Sequence, residues 1–273
     1  MTIYSRPKPP GTPTWVDLMT PDMDGARKFY HALFGWDYDI GGPEFLNYTT
    51  ARAGRYPTAG IGAVPPGVPP MTVWNIYFAS ENAAADAERA AGLGATVMVP
   101  AMAIGEFGSM ATLQDPTGAA FGFWQAGRHI GSQIVNAPGA SAWYELYSPD
   151  AKRARDFYTE LLGATANPMP GGMEYYVLQH GDEQLAGIMQ IDPSWGDFRP
   201  QWMVYFGVKN ADDAVATVQK QGGKAMSKID DANLKEEACM AAVGIAEKIN
   251  AKNPGDYENT CHTENYTDRY GDD

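Results

Sequence analysis

Cysteine is nearly absent from this chain of 273 residues: only Cys239 and Cys261 occur, both near the C-terminus. Everything before them must hold together without a disulfide and without a thiolate metal site. Positive charge is also short, with 20 Lys and Arg against 33 Asp and Glu and a net charge of −13. That balance repels phosphate backbones, so a general affinity for nucleic acid is excluded. No apolar run approaches the ~18 residues of a membrane span, so no membrane partner is expected. Residues 1–10 carry Arg6 and Lys8 but no apolar stretch, and read as a short tail instead of a secretion signal. The expected compartment is the cytoplasm. Histidine is scarce, and His31, His129, His180 and His262 are scattered. Without a cluster, each reads as an ordinary solvated or hydrogen-bonded imidazole. Cys261-His262 with Cys239 is too loosely spaced to specify a tetrahedral site.

What the chain does have is a repeat. Trp15-Val-Asp-Leu-Met-Thr-Pro-Asp-Met-Asp-Gly-Ala-Arg-Lys-Phe-Tyr-His-Ala-Leu-Phe-Gly35 returns as the segment Trp143 to Gly163, with 10 of 21 positions identical at an offset of 128. The same offset pairs Trp74, Tyr77, Phe78 and Asn82 with Trp202, Tyr205, Phe206 and Asn210. A duplication this regular sets two domains and marks equivalent positions in each.

Each repeat opens on alternating residues, a strand, and then on an apolar helical stripe of Ala26, Phe29, Tyr30 and Leu33. Thr20-Pro21-Asp22 and Ser148-Pro149-Asp150 supply helix-start residues, with the Thr and Ser as capping candidates. Gly35 and Gly163 stand at the left-handed stop. Strands are expected near 44–52, 57–64, 73–79, 107–114 and 119–125, with a helix near 81–93 and copies near 173–179 and 184–191. Each half-domain therefore reads β-α-β-β-β. The expected fold class is α+β: domain one over 11–126, a linker over 127–139 and domain two over 140–226. Beyond Gly222 the repeat fails. Residues 227–273 hold 11 acids against 5 bases and lack the Asp-Pro-x-Gly turn of Asp115 to Gly118. Domain two is therefore expected to lack its last two strands, with a helix near 231–250 and a polar, disordered end. The bare sheet edge would be open to a partner chain.

Paired β-α-β-β-β units, Phe29-Tyr30 in the first helix and Asp115-Pro-Thr-Gly118 before the last strand resemble the vicinal oxygen chelate superfamily. Its members include glyoxalases, extradiol dioxygenases and bleomycin-resistance proteins. Trp15-Val-Asp-Leu18, Leu33-Phe-Gly-Trp36, Trp124-Gln-Ala-Gly-Arg-His-Ile-Gly131 and Trp143-Tyr-Glu-Leu146 bring the likeness closer to two-domain, actinobacterial-type glyoxalase-like proteins, often labelled hydroxylases. The resemblance implies a sheet curled into a cup by two half-modules. In catalytic members the cup holds a divalent metal on four ligands.

Carried onto this chain, the ligand positions fall on Trp15, Asn75, Ala59 or Gly60, and Gly122, with Trp143, Met203 and the region of Gly187 in domain two. These residues are poor donors for a divalent ion. No metal and no cofactor are therefore expected; a metal at a non-standard place, serving a lyase, isomerase or oxygenase, is the enzymatic alternative. Alternation places Trp15 and Asp17 on one cup face with Asn75, Tyr77 and Trp124, and Trp143 and Glu145 on the other with Tyr205. Aromatic walls beside one acid suit a small aromatic or cationic molecule, bound as bleomycin-resistance members bind theirs, without a metal. Asp17 or Glu145 could alternatively serve as a general base, or the tryptophans could simply fill the cup. The expected assembly is a monomeric pseudo-dimer or a homodimer.

Overall fold

The computed structural model describes residues 1–169, 174–224, 240–242 and 262–264. In chain order it runs β1 (Thr2–Ile3), β2 (Pro13–Thr20), α1 (Met23–Phe34), β3 (Asp37–Ile40), β4 (Thr49–Ala53), β5 (Tyr56–Ala63), β6 (Val73–Ser80), α2 (Ala83–Gly92), β7 (Thr96–Ile104), β8 (Gly108–Gln114), β9 (Ala120–Ala126) and β10 (Ile134–Val135). The second half follows as β11 (Ser141–Ser148), α3 (Ala151–Leu162), β12 (Thr165–Pro168), β13 (Tyr175–His180), β14 (Glu183–Gln190), β15 (Gln201–Gly207), α4 (Ala211–Lys220), β16 (Met240–Ala242) and β17 (His262–Glu264).

Domain one is a sheet of order β3-β4-β5-β2-β6-β9-β8-β7. Its two β-α-β-β-β modules meet where β2 runs antiparallel to β6, and within each module the first and last strands are parallel. The expectation placed a single strand over 44–52. The chain instead forms β3, a short 3-10 turn at Pro43–Phe45 and then β4. Asp37, Asp39 and Glu44 hid this edge hairpin, because its residues lie mostly in solvent and show little alternation. β7 was also unexpected. It is an exposed edge strand with irregular pairing around Pro100, so it carries no alternation either.

The helix starts differ by two residues from the sequence reading. Asp22 caps α1, accepting from the Gly25 N–H at 2.8 Å, while Thr20 accepts from the Asp22 N–H at 3.2 Å. Asp150 and Ser148 repeat the pair at α3, at 3.0 and 3.1 Å. The carboxylate, two residues closer to the free N–H groups, takes the cap. Gly35 and Gly163 adopt φ of 68° and 65°, the left-handed stop expected of them.

Domain two repeats the first module as β12-β13-β14-β11 and then adds β15, β16 and β17. The expectation of a sheet without further strands needs correcting. β16 pairs antiparallel along Tyr205–Gly207 of β15, and β17 pairs with β16. In domain one the corresponding neighbour, β9, runs parallel to β6. The edge of domain two is thus covered by a different chain path, and the open edge does not extend over Tyr205–Gly207. Residues 240–242 are strand, not part of a helix; backbone groups at a sheet edge need partners, and a strand satisfies them. The remainder of the helix expected over 231–250 lies outside the described residues.

The helices cover the convex faces, and the two domains share one core between them. There α1 packs with α4 and α2 with α3. Trp36, Trp74 and Phe206 form one aromatic nest, and Phe78, Phe121, Tyr158 and Trp202 form another, all buried. Aromatic pairs at these 5–6 Å separations are worth about 0.5–1.5 kcal/mol each beyond the area they bury. The seam also carries polar latches. Tyr158 donates to Asp115 Oδ2 at 2.9 Å, and Trp36 Nε1 donates to the Gly139 carbonyl at 2.7 Å. Asp115 Oδ1 meanwhile holds the turn before β9, accepting from Thr117 N, Thr117 Oγ1 and Ala119 N. The N-terminal segment is tied in as well, since β1 pairs with β10.

Candidate functional site

The concave face of domain one centres on Asp17. Its Oδ1 accepts from Asn75 Nδ2 at 2.9 Å, and its Oδ2 accepts from the Tyr48 hydroxyl at 3.1 Å and the Tyr77 hydroxyl at 3.3 Å. Trp15 Nε1 donates to the Tyr48 oxygen at 2.8 Å, closing the network. Register explains the grouping. Asp17 faces Asn75 and Gly60, Trp15 faces Tyr77, and Tyr77 faces Gly122. Burial pushes the Asp17 carboxyl above the ordinary aspartate range, against the pull of its three hydrogen bonds. The same burial, with the neighbouring carboxylate, pushes the Tyr48 and Tyr77 hydroxyls well above theirs.

Glycines make the space. A Cβ added at Gly60 would lie 1.9 Å from the Tyr48 hydroxyl, and one at Gly122 would lie 2.4 Å from Tyr77 Cδ1. Domain two uses the same device, with a Cβ at Gly187 only 2.0 Å from the Tyr175 hydroxyl. Each tyrosine occupies the room that a side chain on the last strand of its half-module would need.

In domain two the acid is Glu145, fully buried at 0% exposure. It accepts from Tyr175 at 2.8 Å and from Tyr205 at 3.2 Å, while Trp143 Nε1 points to the Tyr175 oxygen at 3.3 Å. Trp143, Tyr147, Val177, Met189, Met203 and Tyr205 pack around this group as a core of their own. Asp17 and Asn75, by contrast, remain half-buried. The two cups share a plan but differ in access.

Of the residues expected at the site, Trp15, Asp17, Asn75, Tyr77 and Trp124 come together in domain one, and Trp143, Glu145 and Tyr205 in domain two. The tryptophans do not offer bare walls. Trp15, Tyr77 and Trp124 are buried under Ile104, Met110 and Ala126. The His129 ring closes the same wall, edge-to-face with Trp15 at 4.3 Å and with Trp124 at 5.3 Å. The aromatic surface at this site is therefore mostly turned inward.

Tyr48, Tyr175 and His129 were missed. The first two hid behind a change of offset: Tyr48, Ala59, Gly60 and Ile61 match Tyr175, Ala186, Gly187 and Ile188 at 127 residues, not 128. Shifting the comparison by one residue after α1 reveals them. His129 lies in the linker segment, where the sequence offers no periodicity to orient a side chain. His31 and His180 hydrogen-bond backbone carbonyls, of Trp36 at 2.8 Å and Leu162 at 3.0 Å. Cys239 and Cys261 lie outside the described residues.

The residues at the positions where this fold carries a metal do not fit one. Trp15, Asn75, Gly60 and Gly122 supply no imidazole or carboxylate, and tyrosine rings fill the space above the glycines. Among the described residues no three His, Cys, Asp or Glu side chains gather closely enough to hold an ion.

Two cups of β-α-β-β-β modules, packed back to back with an acid and tyrosines on each concave face, define a tandem glyoxalase-like protein. The chain belongs to the glyoxalase/bleomycin resistance protein/dioxygenase superfamily: the glyoxalase-like domain family matches residues 14–123, and the superfamily's own model matches residues 140–239. It is 39% identical over 224 residues to the protein named "Putative glyoxylase CFP32" of Mycobacterium tuberculosis, covering 80% of this chain and 85% of that one. It is 33% identical over 231 residues to the anthracycline biosynthesis protein DnrV of Streptomyces peucetius, covering 78% and 83%. Among solved structures, the Mn(II)-bound glyoxalase of Novosphingobium aromaticivorans shares the fold at a TM-score of 0.56 and 15% identity, over 78% of this chain and 71% of that one. The 2,3-dioxygenase LapB of Pseudomonas sp. KL28 does so at 0.57 and 12%, over 96% and 92%.

Proposed function

We propose that the protein binds a small cationic aromatic molecule in the cup of domain one, without a metal, and that Asp17 is its anchor. The observation that carries this reading is the contrast between two equivalent acids. Glu145 is sealed inside domain two, whereas Asp17 keeps a minor part of its surface in solvent. The hydrogen bonds that Asp17 accepts come from neutral groups, Asn75, Tyr48 and Tyr77, and no basic side chain contributes to its raised pKa. A desolvated carboxylate whose surroundings supply no counter-charge attracts a cation from outside. Tyr48 and Asn75, which like Asp17 are incompletely buried, border the carboxylate where a flat ligand would lie. The relative named for anthracycline biosynthesis supports a ligand built on fused aromatic rings. Domain two serves as the packing partner that braces the first cup from behind.

Quenching of tryptophan fluorescence by proflavine, a flat tricyclic cation, tests the reading. Trp15 and Trp124 report from the cup. Saturable quenching is expected, weakened by Asp17→Asn and retained in Glu145→Gln. Quenching that Glu145→Gln abolishes and Asp17→Asn spares would place the ligand elsewhere.

A second reading uses Asp17 as a general base, favoured by its raised pKa. It predicts turnover of methylglyoxal with a thiol by the metal-free protein, lost on Asp17→Asn.

A further inference from the structure

The His129 side chain packs edge-to-face on two tryptophans, a task that does not need its ring nitrogens. Its backbone performs the structural work: the carbonyl accepts from Trp124 Nε1 at 2.8 Å, and its N–H donates to the Phe107 carbonyl at 3.0 Å. The neighbouring Gly127 and Arg128 N–H groups bond Phe107 and Glu106 at 2.9 and 3.0 Å, so the segment is pinned to the β7–β8 turn. A phenylalanine could provide the same edge-to-face packing on Trp15 and Trp124. Yet the ring is an imidazole. Among the described residues neither ring nitrogen has a hydrogen-bond partner, and neither is a fully buried orphan. The imidazole is half-buried in the wall it forms with Trp15 and Trp124.

We propose that His129 is a second recognition residue of the domain-one cup, hydrogen-bonding a hydroxyl or carbonyl on an aromatic amine whose ammonium group meets Asp17. This rests on the binding reading above. Trp15 and Asp17 stand two residues apart on β2, about 7 Å along the strand. The Trp15 indole joins the two groups: its edge meets the imidazole at 4.3 Å, and its Nε1 donates to the Tyr48 oxygen whose hydroxyl bonds Asp17. Burial lowers the imidazole pKa to about 4, so at neutral pH the ring is uncharged. It can donate and accept, and it does not repel a cation.

Tyramine and phenethylamine test the proposal, because they differ only in the phenol hydroxyl at the far end from the amine. Their dissociation constants are measured by calorimetry on the full chain, the Asp17→Asn variant, His129→Phe and His129→Gln, with each variant's fold checked by thermal melting. The wild type is expected to prefer tyramine five- to tenfold. His129→Phe should reduce that preference to within twofold, His129→Gln should restore part of it, and Asp17→Asn should weaken both amines alike. A tyramine preference that survives His129→Phe, or equal losses for both amines on that substitution, would overturn the role of His129. If proflavine still binds in an Asp17-dependent way, the binding reading stands while the His129 proposal falls. If neither the amines nor proflavine bind the wild type, both fall together.

Discussion

Gly60→Ala isolates the principle on which the cup is built. The added Cβ would lie 1.9 Å from the Tyr48 hydroxyl, 2.6 Å from its Cζ and 2.8 Å from Asp17 Cβ, so Tyr48 must leave. The backbone at Gly60 is ordinary strand, hence the cost is steric and not conformational. Forcing a methyl into a packed site costs about 1–3 kcal/mol. Losing the Tyr48 hydrogen bonds to the Asp17 carboxylate and from Trp15 adds about 1.5–3 kcal/mol. A total of about 2.5–6 kcal/mol is expected from urea unfolding. The decisive comparison is a cycle with Tyr48→Ala. Once the ring is gone, the 2.8 Å approach to Asp17 Cβ remains but the clash with Tyr48 does not, so Gly60→Ala should cost less than in the wild type, a coupling of roughly 2 kcal/mol. Equal costs in the two backgrounds would refute the claim that this glycine exists to admit the tyrosine.

Other outcomes follow from the same geometry. Lys8 is buried, donating to the Pro13 carbonyl at 2.9 Å, and burial lowers its pKa from 10.5 to about 8. The unfolded chain binds its proton more tightly, so stability should rise between pH 8 and 10.5, and Lys8→Met should flatten that rise in pH-dependent melts. The shift corresponds to roughly 3 kcal/mol at neutral pH, reduced by the lost hydrogen bond. Tyr158→Phe removes the bond to buried Asp115 across the domain seam and should cost about 1.5–3 kcal/mol in urea unfolding. Asp17→Asn should raise the melting temperature at pH 7. A carboxyl whose pKa is raised on folding stabilises only while protonated, and that contribution disappears as pH rises through its folded pKa. A melt lowered by this substitution would contradict the view that the charge is kept for a ligand.

Much of this architecture was legible in the residues. The repeat located both first strands and helices, because an apolar stripe beside a cap and a stop glycine has few other readings. Alternation along Trp15 to Met19 put Asp17 on the concave face, and the offset of 128 put Glu145 at the equivalent place in domain two. What stayed hidden lacked periodicity or broke the offset. β3 and β7 are exposed edges, and His129 sits in a linker without periodicity. Tyr48 and Tyr175 fell one residue out of step. The aromatic residues lie on the face that alternation gave them but are packed over, since a strand pattern tells which face a tryptophan is on and not what covers it. β16 could not be read from Met240-Ala-Ala242, whose small residues suit a helix equally well. Pairing along Tyr205–Gly207 decided the matter.

The central claim is that a carboxylate, not a metal, organises the ligand in domain one. Calorimetric titration of proflavine into metal-free wild type and Asp17→Asn, repeated from pH 4 to 8, tests it most directly. The wild type should bind more weakly as pH falls through the raised pKa of Asp17, losing affinity at a higher pH than an ordinary carboxylate would. Asp17→Asn should bind at least tenfold more weakly at pH 8 and show no such slope. Equal affinity in the two proteins, or binding that appears only when a divalent ion is added, would contradict it.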